Sequence, residues 1–218
     1  MVSKCFKKYI VEFLGTYFLV LTIGCMINLE TDKTLAPIII GLVLAVMVYA
    51  GGKISGGHYN PAVSLAVYLN KGICNKRFFG YIVSQFFGGI IAACTVNYLA
   101  DGTFMPMLGF YMPALILAET LFTFLLCLTV LFTTRKEVSP NCYYGAAIGS
   151  SLTVGIASVG STICLAAFNP AVALSLAFMN GCCICLSFVT ILANFAGGAF
   201  AYLLFKFITN ENRQEGAD

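Results

Sequence analysis

The sequence predicts an all-α membrane protein of six transmembrane helices plus two re-entrant half-helices, arranged as an inverted repeat. Three observations carry this expectation. Of the 218 residues, 60% are hydrophobic and 10% charged, whereas an ordinary soluble domain carries about 25% charged residues. The apolar residues come in blocks near twenty long, the length that crosses a hydrocarbon core about 30 Å thick. The word Asn-Pro-Ala-Val occurs at Asn60 and returns 109 residues later at Asn169.

Taken in order, the long apolar blocks cover residues 9–29, 36–51, 78–99, 112–134, 143–160 and 187–208. The first follows Lys4, Lys7 and Lys8 and lacks the small-residue end of a cleavable signal peptide, so it reads as a retained helix. Two further stretches, 61–69 and 170–179, are too short to span. At about 1.5 Å per residue they cover half a membrane and read as half-helices. The whole chain, 1–218, reads as a single membrane domain with repeats at about 9–100 and 112–208 and a short tail at 209–218.

The repeat has more anchors than the Asn-Pro-Ala word. Gln85-Phe86-Phe87-Gly88-Gly89 is echoed at the same distance by Asn194-Phe195-Ala196-Gly197-Gly198, and Glu12…Thr16 by Glu119…Thr123. Each half holds three spans, an odd number, so the second half enters the membrane from the opposite side. Charge sets the orientation, because Lys and Arg are retained in the cytoplasm. Lys4, Lys7, Lys8, Lys53, Lys71, Lys76, Arg77, Arg135, Lys136, Lys206 and Arg213 fall on one side of a six-span chain and Lys33 on the other. Both termini are therefore expected in the cytoplasm, with the lipid bilayer as the protein's surroundings.

Composition also narrows the function. The net charge of +3 is small and scattered, which argues against a nucleic-acid partner. Nearly all ten cysteines sit in apolar runs and read as small buried hydrophobes. Cys182, Cys183 and Cys185 contain one CxxC spacing with no second pair, so no metal site is expected. Ser150 and Ser151 lie in a span without a base in reach, and no catalytic constellation or cofactor motif is present. An enzyme is not expected.

The paired motifs carry the chemistry. Asn is a preferred helix N-cap, and Pro suits the first helical position, where an N–H would lack a partner. Asn60-Pro61-Ala62 and Asn169-Pro170-Ala171 therefore start two half-helices whose positive dipole ends meet near the bilayer midplane. Each capping Asn keeps amide N–H donors for a lumen. Glu12 and Glu119 are carboxylates inside apolar spans, costly placements that mark function or a buried polar anchor.

These motifs, in the contexts SGGHYNPAV and AAFNPAV, resemble those of the aquaporin or major intrinsic protein family from Glu12 to about Leu203. The resemblance implies a channel for water and small neutral solutes, assembled as a homotetramer with one pore per subunit. It implies that Glu12 and Glu119 accept hydrogen bonds from the backbone entering each half-helix. It places His58 near a vestibule, either satisfying loop backbone or gating. An Arg that normally follows the second motif in water channels is here Val172, and the family pattern places Ile40, Ala157 and Ala166 at the other filter positions, with Ala157 open to a slip of one to Ile156. Ala173 and Ala177 are small where the glycerol-channel branch carries an Asp and a basic residue, so water and larger neutral solutes both stay open. A constriction elsewhere, at Tyr17 or Phe168, also stays open, since hydrophobic constrictions gate by dewetting. Two further readings are a conduction-poor structural protein of the same fold and a secondary transporter, although the latter needs ion-coordinating groups beyond Glu12 and Glu119.

Overall fold

A computed structural model describes residues 4–29, 32–102, 109–135 and 141–214. Among them the elements are α1 (Lys4–Asn28), a short 3-10 turn (Lys33–Leu35), α2 (Ala36–Ser55), α3 (Pro61–Leu69), α4 (Asn75–Leu99), α5 (Met112–Thr133), α6 (Tyr144–Ile163), α7 (Pro170–Phe178) and α8 (Ile184–Gln214). Lys136 and the last residues of the tail lie outside the described residues. Five of these helices have the length and apolarity to cross a membrane. The sixth, α6, is regular only over Tyr144–Gly160, because Gly160 leaves helical geometry with φ +47°; it stands at the short limit of a span. The α8 helix runs past Ile208 to Gln214, so the first part of the expected tail continues the last span.

The two halves mirror each other in their packing. Helix α1 lies on α4 and α5 on α8, while α2 lies on α6 across the middle. A Cβ on Gly88 would meet the backbone carbonyl of Phe13, and one on Gly197 that of Thr120, so glycine lets each helix pair approach backbone to backbone. The same helices then grip the opposite half-helix: Gly89 faces Ser175 of α7, and Gly198 faces the carbonyl of Ala62 in α3. Helices α2 and α6 cross at Gly41 and Gly149, each against the other's backbone carbonyl.

The surface follows from the solvent. Phe79, Val83, Phe87, Phe188, Phe200 and Phe207 are exposed, which suits hydrocarbon rather than water. The buried set includes polar groups instead: Glu12, Thr16, Ser64, Gln85, Glu119, Thr123, Ser175 and Asn194. A protein inverted in this way places its hydrogen-bonding groups where irregular backbone needs them.

Candidate pore and its supports

The half-helices begin as their sequence demands. Asn60 and Asn169 are extended N-caps whose side-chain oxygens accept from the amides of Ala62 and Ala171 at 2.8 and 2.9 Å. Each amide group also reaches across to the other half: Asn60 Nδ2 donates to the Phe168 carbonyl and Asn169 Nδ2 to the Tyr59 carbonyl, both at 2.9 Å. One N–H of each Asn is thus a strut between the two loops. The second has no protein acceptor among the described residues, and both Asn side chains border the same cavity.

Tyr59 and Phe168, the residues just before the two caps, adopt φ +49° and +46°. For bulky side chains this left-handed geometry costs on the order of 1–3 kcal/mol each. The buried glutamates hold it in place. Glu12 Oε2 accepts from the Tyr59 amide at 2.7 Å and from Gln85 Nε2 at 2.8 Å, while its Oε1 accepts from the His58 amide at 3.0 Å and the Ser55 hydroxyl at 2.6 Å. Glu119 repeats the arrangement: Oε1 accepts from the Ala167 amide at 3.1 Å, and Oε2 from the Phe168 amide at 2.9 Å and Asn194 Nδ2 at 2.8 Å. Both carboxyls are fully buried. Tyr81 adds a donor to the Ser55 carbonyl at the end of α2.

One cavity of about 460 Å³ runs between these supports. Its wall is paired across the repeat, with Leu19 and Leu126, Ile23 and Val130, Val63 and Val172, and Leu44 and Leu152 facing it from matching places. His58 borders it at one end, its Nδ1 3.1 Å from Ser64 Oγ and its ring edge-on to Tyr81. Ile40, Ala166 and Val172 line the cavity. Ala157 does not: it is exposed, and Ile156 takes its place. The reason is helical rotation, since Ile148, Leu152 and Ile156 recur every four residues on one face of α6 and a residue one further on is turned by about 100°. Tyr17 and Phe168 are not among the lining residues; Phe168 is buried against Phe122.

Lys33 borders the cavity at the end opposite His58, and sequence reading used it only as the exception in the charge count. Asp32 caps the turn that presents it, accepting from the Thr34 amide at 2.9 Å and the Thr34 hydroxyl at 2.6 Å. Those bonds hold the Asp32 carboxyl below the ordinary carboxylate range. The apolar wall from α1 and α5 was also unread, although Leu19 and Leu126 stand 107 residues apart, as Glu12 and Glu119 do. Among the described residues no group of three His, Cys, Asp or Glu side chains is placed to hold a metal ion.

The arrangement offers a lumen with two inward-facing helix N-termini, a few polar stations and aliphatic walls, and comparison with known proteins points the same way. The sequence profile of the major intrinsic protein family matches residues 1–205. The chain is 31% identical over 218 residues to glycerol uptake facilitator protein-like 6 of Lactiplantibacillus plantarum, covering 94% of this chain and 100% of that one. It is 33% identical over 187 residues to nodulin-26 of Glycine max, 80% of this chain and 68% of that protein. The X-ray structure of the aquaglyceroporin from Plasmodium falciparum shares its fold with TM-score 0.74 at 22% identity, covering 92% of this chain and 95% of that one.

Proposed function

The chain belongs to the major intrinsic protein family of passive channels, not enzymes, and on that premise we propose that it conducts water and small uncharged solutes such as glycerol and urea down their gradients. The observation that carries this reading is the cavity bordered by Asn60 and Asn169, with Ile40, Ile156, Ala166 and Val172 on its wall. Those four form the selectivity filter in this reading. None of them offers a charge, an aromatic ring or a side-chain hydrogen-bond donor, so the filter discriminates by width and wetting rather than by recognition. Water passes by handing its hydrogen bonds from carbonyls to the two Asn amides, and the paired half-helix dipoles disfavour cations at the midplane. The name of the Lactiplantibacillus relative, a glycerol uptake facilitator-like protein, fits the wider solute range.

In the same reading the chain is one channel domain made of repeats 9–100 and 112–208, with both termini and the Arg135 side in the cytoplasm. It forms homotetramers with one pore per protomer. The exposed apolar faces of α2 (Leu42, Val46) and α8 (Phe188, Leu192) support contact with lipid or with sister subunits.

A pair of neighbouring substitutions tests the filter. Ile156→Phe is expected to cut glycerol and urea flux into reconstituted vesicles by about tenfold or more, a barrier increase near 1.4 kcal/mol. Ala157→Phe, on the outer face of the same helix, is expected to leave the solute profile as it is in wild type. Equal effects of the two would remove Ile156, and with it the proposed filter, from the conduction path.

A further inference from the structure

We propose that Lys33 is the cation barrier of this pore, an ammonium group built into the mouth at the site where an entering cation would otherwise collect. The proposal rests on the passive-channel reading above. Lys33 Nζ donates to the carbonyls of Met26, Ile27 and Leu29 at 2.8, 2.7 and 2.9 Å, which uses all three of its donors on the last turn of α1. Met26, Ile27 and Lys33 all border the cavity, and among its described lining residues Lys33 is the one Lys, Arg, Asp or Glu. The neighbouring acid, Asp32, has an oxygen tied to Thr34 in the turn.

The physics depends on what the carbonyls would do alone. The C-terminus of a helix carries the equivalent of about half a negative charge, concentrated on carbonyls without an intrahelical partner. Three such oxygens converging within hydrogen-bond range of one point form a ligand set suited to a hydrated or partly dehydrated monovalent cation. The ammonium of Lys33 occupies that point and changes the local charge from about −0.5 to about +0.5. Because the four proposed filter positions carry no charge, this cation at the mouth supplies the repulsion that an Arg beside the second Asn-Pro-Ala motif would otherwise provide. Its position before the constriction, rather than in it, leaves the lumen wide for neutral solutes.

The test uses the full chain in phosphatidylcholine vesicles, which bring no surface charge of their own, and reads the ratio of potassium flux to osmotic water flux. The ratio is expected to rise about tenfold in Lys33→Ala and further in Lys33→Glu, and to stay near wild type in Lys33→Arg. Ratios within twofold of wild type for both Ala and Glu would overturn the proposal. A second arm needs no substitution. Raising impermeant choline chloride on both sides from about 10 mM to about 1 M shortens the screening length from about 30 to about 3 Å. The wild-type ratio, at constant potassium, is then expected to rise several-fold, and a flat ratio would overturn the proposal even where the Ala variant gives no folded protein. Wild-type vesicles that pass neither water nor glycerol faster than empty ones would overturn the channel reading itself, a result distinct from an unresponsive cation ratio in a conducting channel.

Discussion

Glu119→Gln is expected to abolish most of the folded channel, lowering the yield of monodisperse protein and its thermal unfolding midpoint far more than substitution of a lipid-facing residue such as Phe200. Each oxygen of Glu119 faces donors: Ala167 on one, Phe168 and Asn194 on the other. An amide turns one of those oxygens into a donor, so at least one buried N–H loses its acceptor and meets a second donor. The orphaned group costs about 1–3 kcal/mol, and the remaining bonds lose the assistance of charge. Left-handed Phe168 is then held by a weaker bond in a conformation that is itself uphill. Losing a partner from a buried charged network costs about 3–5 kcal/mol in sum. Glu12→Gln is expected to do the same through His58 and Tyr59. Wild-type yield, midpoint and vesicle swelling in both variants would show that the glutamates are not what holds the two loops.

Val172→Arg is expected to give the largest change in selectivity. The residue lies in the first turn of α7, three positions after Asn169, and faces the cavity. An Arg there adds a fixed charge and a bulky fork of donors among aliphatic side chains. Glycerol and urea flux are expected to fall by about tenfold more than water flux, equivalent to about 1.4 kcal/mol of added discrimination, because water is small and can exchange hydrogen bonds with the guanidinium. Cation flux is expected to fall with the solutes. A well-folded Val172→Arg protein with an unchanged solute profile would place the constriction away from Ile40, Ile156, Ala166 and Val172.

Much of this architecture is legible in the sequence because the repeat makes it so. Asn60 and Asn169 announce two caps, Pro61 and Pro170 start two helices at the expected residues, and the paired glutamates stand where the loops need acceptors. What sequence does not carry is rotation and closure. The α6 segment reads YGAAIGSSLTVGIASVG, small and apolar on every side, so nothing in it marks which of Ile156 and Ala157 faces inward; one residue of slip turns the choice by about 100°. The full regularity of α6 also fails at Gly160, a change of φ that no neighbouring signal foretells. Lys33 counts as one charge in a loop until α1 ends beside it and offers its carbonyls. The left-handed Tyr59 and Phe168 are likewise unreadable, because neither is a residue type that favours that geometry.

The measurement that bears most directly on an aliphatic-filtered pore is stopped-flow light scattering of vesicles holding the wild-type chain, challenged in turn with sucrose, glycerol and urea. Shrinkage under sucrose is expected to be several-fold faster than in empty vesicles. Under glycerol or urea it is expected to be followed by re-swelling at a rate well above the lipid background, as the solute enters through the pore. Fast shrinkage without re-swelling in either solute would contradict the open filter, and shrinkage no faster than in empty vesicles would contradict the channel.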